Sequence, residues 1–134
     1  MAQLILCIED DPLAAQAMRR TLVYAGFEVQ VASTAAEALE YLRARQPVMI
    51  LLDLLLPDVN GYSFMDLLRD YEDLDKIPVM IVSGCASPEA QSLGRELGAC
   101  AYMVKPFTAP ELIERVCEVL QIKPKMGKAV GSGN

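Results

Sequence analysis

The chain has 134 residues, of which 53% are hydrophobic, and its 12 basic and 18 acidic side chains leave a net charge of −6. This suits a single domain that can bury its own core, and the negative balance argues against a nucleic-acid surface; no run reaches the roughly 18 apolar residues of a membrane span, and the N-terminus lacks the basic segment of an export signal. There is no histidine, which excludes imidazole acid–base chemistry and His-ligated metals, and the four cysteines form no CxxC pair; three sit in apolar periodic segments, where a free Cys behaves as a small hydrophobe, so a reduced, cytoplasmic protein is expected.

Leu4–Ile8 reads as the first strand and ends abruptly in Glu9-Asp10-Asp11-Pro12. Asp11 followed by Pro12 is a helix start, an N-cap acceptor and then a residue preset for the first turn. Ala14, Met18, Leu22 and Ala25 recur at helical spacing, and Gly26 is placed to end that helix. Glu28–Ala32 alternates as a strand nearer the sheet edge. Thr34-Ala35-Ala36-Glu37 is a capping-box pattern, and Ala35, Leu39 and Leu42 continue as an apolar face.

Met49–Pro57 comes next, an apolar run around one carboxylate, Asp53, with Pro47 before it. So short a run reads as a strand buried on both faces of a parallel sheet. Asp53 then ends the strand, where open α/β sheets place their ligands; Asp also begins turns, and this stretch alone leaves both readings open.

Asn60-Gly61 punctuates the following loop, and a helix runs through Phe64, Leu67 and Leu68 to end somewhere between Asp70 and Asp75. Pro78 precedes Val79–Ser83, a strand rich in β-branched residues. Ser87-Pro88-Glu89 opens a helix that closes near Gly98. Ala101–Val104 is a short fifth strand, followed by Lys105-Pro106. Thr108-Ala109-Pro110-Glu111 is a second capping box, and Ile113, Val116, Cys117 and Leu120 form the last helical face. A domain over 1–121 is expected, with 122–134, which has little to bury, as a flexible tail or linker.

Strict strand–helix alternation through five units implies a parallel sheet with right-handed crossovers and helices on both faces. In such a sheet the strand carboxyl ends share one edge. Glu9, Asp10, Asp53, Ser83 and Lys105 therefore converge in one crevice. Each has a plain alternative: a solvated helix start for the acidic residues, a surface lysine, a turn serine. Asp11 is explained by its cap and is left out of the site. Crowded carboxylates resist common ionisation unless a cation joins them. All-oxygen ligation favours a hard ion, and partial protein ligation favours magnesium. Magnesium beside a lysine suits phosphoryl oxygens, and an Asp carboxylate can accept a phosphoryl group.

These residues resemble a response-regulator receiver domain, the phosphoacceptor half of two-component signalling. The likeness covers roughly 3–121 and rests on ILCIEDD, ILLDLLLPDVNG, the apolar strand ending in Ser83, and AYMVKPF. It implies a flavodoxin-like (βα)5 three-layer sandwich with strand order 2-1-3-4-5. It further implies that Asp53 accepts the phosphoryl group from a histidine kinase or phosphotransfer protein. Asp10, Asp53 and the Leu55 backbone carbonyl would ligate Mg2+, with Glu9 acting through water. Lys105 would contact the phosphoryl oxygens, and its bond to Pro106 is expected to be cis. Ser83 would hydrogen-bond the phosphoryl group, and Tyr102 would be the switch aromatic on the face of the fourth helix, fifth strand and fifth helix. Tyr102 by itself reads as an ordinary packing residue.

The resemblance implies a signalling phosphoacceptor rather than an enzyme, without direct nucleic-acid or membrane binding, monomeric or weakly dimeric. Ser83 stands where Thr is frequent, Gly84 where Ala is usual, and Ala99-Cys100-Ala101 replaces the acidic pair of the winged-helix DNA-binding class. With no output domain after the tail, a stand-alone receiver or a fragment is expected. A haloacid-dehalogenase-like phosphohydrolase would need a second Asp at Leu55. A flavodoxin-like redox module would not carry Glu9-Asp10-Asp11 in its phosphate loop, and a degenerate receiver would lack Asp53 or Lys105.

Overall fold

The computed structural model describes residues 2–124; the part of the expected tail from 125 onward lies outside the described residues. Ten elements alternate along the chain: β1 (Leu4–Ile8), α1 (Pro12–Tyr24), β2 (Glu28–Ala32), α2 (Ala35–Ala44), β3 (Met49–Leu52), α3 (Gly61–Arg69), β4 (Val79–Ser83), α4 (Pro88–Glu96), β5 (Ala101–Val104) and α5 (Ala109–Leu120). The five strands are parallel in the order β2-β1-β3-β4-β5, so the reading of Glu28–Ala32 as an edge strand holds.

β3 lies at the centre because every one of its residues is apolar, and Met49, Ile50, Leu51 and Leu52 are all buried. Alternation along the strands divides the core in two. Leu6, Ile8, Ile50, Leu52 and Ile81 pack with Ala38, Leu42, Phe64 and Leu68 of α2 and α3. Ile5, Cys7, Met49, Leu51, Met80 and Val82 pack on the opposite face with Met18, Leu22, Leu112 and Val116 of α1 and α5. Burying each such side chain contributes about 1.5–3 kcal/mol, so the two-sided core is the main reason the sheet forms.

Caps mark the helix starts. Asp11 accepts from the Ala14 amide, Ser87 from Ala90, and Thr108 and Glu111 form the complete reciprocal box at α5. Gly26 and Gly98 adopt φ of 100° and 107° after α1 and α4, a left-handed conformation that costs glycine little.

Several local expectations are corrected. The buried face of α1 is Ala15, Met18, Leu22, with Ala14 only half-buried. Two successive steps of four residues rotate about 80° around a helix of 3.6 residues per turn, so Ala14 drifts off the stripe that Ala15 and Leu22 share. On α2, Ala38 is buried and Leu39 only partly, and the Thr34 box is half made. Thr34 Oγ1 accepts from the Glu37 amide, but Glu37 turns to Ser33, whose N–H and hydroxyl both donate to its Oε1 at 2.6 and 3.1 Å. α3 stops at Arg69, ahead of the acidic stretch, and Leu112 replaces Leu120 in the buried face of α5. Cys7 and Cys117 are buried while Cys85 and Cys100 are exposed, so only two cysteines serve as core hydrophobes.

Candidate functional site

Parallel register aligns the strand ends. Ile8 pairs with Leu52, Leu52 with Ile81, and Ser83 with Val104. The residues that follow β1, β3 and β5 therefore leave the sheet side by side. Backbone bonds hold them there: the Asp53 amide donates to the Ile8 carbonyl at 3.0 Å, the Glu9 amide to Ala32 at 2.9 Å, and the Lys105 amide to Ser83 at 2.8 Å.

At this edge Lys105 Nζ lies 2.6 Å from Glu9 Oε1 and 3.4 Å from Asp53 Oδ2. Glu9 is 2% exposed and Asp53 8% exposed, whereas Asp10 stands open to solvent. One carboxylate oxygen from each of Glu9, Asp10 and Asp53 lies within 4.8 Å of the other two. Burial raises the Glu9 pKa, outweighing the lowering effect of Lys105 and of the Asp11 amide, and the Asp53 charge adds to the rise. Desolvation works against the charge on Lys105, but its bond to Glu9 and the charges of both carboxylates prevail and its pKa is raised. One ammonium thus offsets part of a concentrated negative charge, and the remainder favours a further cation. The donors are all oxygen, which fits a hard divalent ion such as magnesium.

Asp53 is held from a second side by its own loop. Its Oδ1 accepts from the Leu55 amide at 3.1 Å, and among the described residues no backbone amide donates to the Leu55 carbonyl. Leu55 bridges Asn60, and the Gly61 amide donates to the Leu54 carbonyl at 2.9 Å, closing the loop on itself. A Cβ at Gly61 would lie 2.7 Å from Leu54 Cα and 2.9 Å from the Asp53 carbonyl oxygen. Only glycine permits that approach.

Ser83 and Tyr102 are linked through Cys85. Ser83 is buried and its Oγ accepts from the Cys85 amide at 3.1 Å; the buried Tyr102 donates its hydroxyl to the Cys85 carbonyl at 2.7 Å. Neither makes a side-chain hydrogen bond to Asp53 or Lys105 among the described residues. The Lys105–Pro106 peptide is cis, as the resemblance implies.

Two further contacts were not legible in the sequence. Asp58, to which the sequence assigned no role, reaches the N-terminus of α2 and accepts from the Ala35 and Ala36 amides, each at 3.0 Å. Tyr62, at the start of α3, donates its hydroxyl to the Ala90 carbonyl of α4 at 2.9 Å. Both bonds cross more than 20 residues, and no local pattern marks them.

Comparison with known proteins agrees with this arrangement. The family model for the response regulator receiver domain matches residues 5–117. The transcriptional regulatory protein PrrA of Mycobacterium tuberculosis is 35% identical over 117 residues, 87% of this chain and 49% of that protein. The DNA-binding response regulator MtrA of Mycolicibacterium smegmatis is 34% identical over 116 residues, 87% of this chain and 50% of its own length. The chain thus spans about half the length of these curated relatives. Among solved structures, a CheY-like response regulator receiver domain protein from Methanospirillum hungatei superposes with a TM-score of 0.82 at 28% identity, covering 90% of this chain and 95% of the other.

Proposed function

The chain belongs to the response regulator receiver domain family of two-component systems, and from that premise we propose that Asp53 accepts a phosphoryl group from a histidine kinase or phosphotransfer protein. The observation that carries this reading is the position of Lys105 Nζ between the carboxylates of Glu9 and Asp53, at 2.6 and 3.4 Å, on the carboxyl edge of the sheet. An Asp53 oxygen attacks phosphorus, the donor's P–N bond breaks, and the electron pair leaves on the donor imidazole. Lys105 then contacts phosphoryl oxygens as well as carboxylates. Asp10, Asp53 and the Leu55 carbonyl would hold magnesium, with Glu9 acting through water. Bound there, magnesium would neutralise charge on the transferred group.

The rest of the chain would relay the change. A phosphoryl group adds about −1.5 to −2 charge and strong acceptor oxygens, and Ser83 is the neutral donor at the end of the adjacent strand. If Ser83 Oγ turns toward that group it leaves the Cys85 amide, and Tyr102, bonded to the same residue, responds on the α4–β5–α5 face. We assign the receiver to 1–121, in a cytoplasmic signalling protein that is a phosphoacceptor rather than an enzyme. MtrA is named as a DNA-binding response regulator and PrrA as a transcriptional regulatory protein, so the full protein would carry an output domain beyond the region they share with this chain; the acidic receiver itself would not touch nucleic acid.

Acetyl phosphate with magnesium tests the reading. Mass spectrometry should find one alkali-labile, acid-stable adduct on the wild type and none on Asp53→Ala. Labelling that persists in Asp53→Ala places the acceptor elsewhere and overturns the assignment.

A further inference from the structure

The acceptor loop between β3 and α3 is tied down at its ends by the Asp53 amide, the Leu55–Asn60 bridge and the Gly61 amide. Its tip, Pro57 to Val59, is fastened differently. Asp58 spans 22 and 23 residues back to α2, with Oδ1 accepting from Ala35 and Oδ2 from Ala36, both at 3.0 Å. α2 already has a cap of its own, since Thr34 Oγ1 takes the Glu37 amide and Glu37 takes Ser33. The first two amides of the helix remain, and the acceptor loop supplies the carboxylate that satisfies them. A carboxylate at a helix N-terminus also gains from the helix dipole, so the contact is both a double hydrogen bond and a charge–dipole pair.

We infer that Asp58 is a positioning residue for the metal and phosphoryl site: it straps the loop tip to α2 and so holds the Leu55 carbonyl in place beside the Asp53 carboxylate. The inference rests on the receiver reading and on Leu55 as a metal ligand. Leu55 is 78% exposed, so its own side chain does little to anchor it. Its amide is fixed by Asp53 Oδ1, which sets one end of the peptide. The direction of its carbonyl depends on the chain that follows, and Asp58 is three residues on. Partners of this kind, outside the ligands themselves, commonly tune metal affinity.

The experiment measures magnesium binding alone, by calorimetry or amide shifts, in the wild type, Asp58→Ala, Asp58→Asn and Thr34→Ala, with urea unfolding of each. Thr34→Ala removes the cap of the same helix end and leaves the two Asp58 hydrogen-bond partners in place, so it reports the purely structural cost. The expected result is an affinity loss of about tenfold in Asp58→Ala, a smaller loss in Asp58→Asn, which keeps one oxygen acceptor, and an unchanged affinity in Thr34→Ala. Asp58→Asn carries the test if the alanine variant is too unstable to titrate. Equal affinity in the Asp58 variants and wild type overturns the inference while leaving the receiver reading intact, as does a loss in Thr34→Ala of the same size. A wild type that binds no magnesium overturns the ligand set, and the inference with it.

Discussion

The Tyr102 hydroxyl donates to the Cys85 carbonyl at 2.7 Å, so the aromatic of β5 is fastened to the loop that follows β4. The amide of the same Cys85 donates to Ser83 Oγ at 3.1 Å. Both side chains expected to act in switching therefore hold one residue, from its two ends. In the proposed switch, a rotation of Ser83 toward Asp53 would release the Cys85 amide while Tyr102 still holds the carbonyl of the same residue.

Ser83→Ala should still accept beryllofluoride at Asp53 but lose most of the shift in amides from Pro88 to Leu120. A ligand moves an equilibrium only by the difference in its contacts with the two states, and under the proposed switch the serine hydroxyl would be the neutral contact that differs. NMR spectra of both proteins with beryllofluoride check this. Equal movement in the two would show that Ser83 does not couple the site to that face.

Gly61→Ala should destabilise the protein by about 1–3 kcal/mol, the usual cost of forcing atoms into a filled site. The new Cβ would meet backbone at 2.7 and 2.9 Å, not the far end of a flexible side chain. Urea unfolding measures the loss. An unchanged midpoint would mean that the loop shifts freely, contrary to the closed bridge between Leu55 and Asn60.

The cysteines should separate by reactivity. Burial and the Glu9 charge push the Cys7 thiol up to about 12, so it stays protonated and enclosed. The exposed Cys85 is held below the ordinary thiol range by hydrogen bonds from the Ser87 side chain and backbone, while burial raises Cys100 and Cys117. Brief alkylation of the native protein should label Cys85 first and Cys7 last, since the thiolate is the nucleophile. Peptide mass spectrometry gives the order; early labelling of Cys7 would mean that β1 opens.

Asp58 should leave a signature in acid. The Ala35 and Ala36 amides hold its carboxyl below the ordinary value of 3.8. A depressed carboxylate contributes stability that is present above the unfolded pKa and lost as pH falls through the folded one. The stability gap between wild type and Asp58→Asn should therefore be level well above pH 3.8 and shrink below it. Urea unfolding across a pH series reads the gap, and a gap that stays level into strong acid would separate the two hydrogen bonds from stability.

Much of this molecule was legible in its residues because the signals are local. Met49–Leu52 is too short and too apolar for anything but a doubly covered strand, and caps such as Asp11, Ser87 and Thr108 announce their helices within four residues. Strict alternation then brings Glu9, Asp53 and Lys105 to one edge, because parallel strands share a direction; their ion pairs at 2.6 and 3.4 Å are the consequence. Side-chain choices among long-range partners were not legible. Glu37 prefers Ser33 to its own cap, Asp58 reaches α2, Tyr62 reaches α4, and Ala15 rather than Ala14 faces the core. A hydrogen bond depends on distances of a few tenths of an ångström between atoms whose separation is set only once the helices have packed. Sequence by itself determined the sheet, its edge and the charged residues on it; packing decided which polar atoms meet there and which loops hold them.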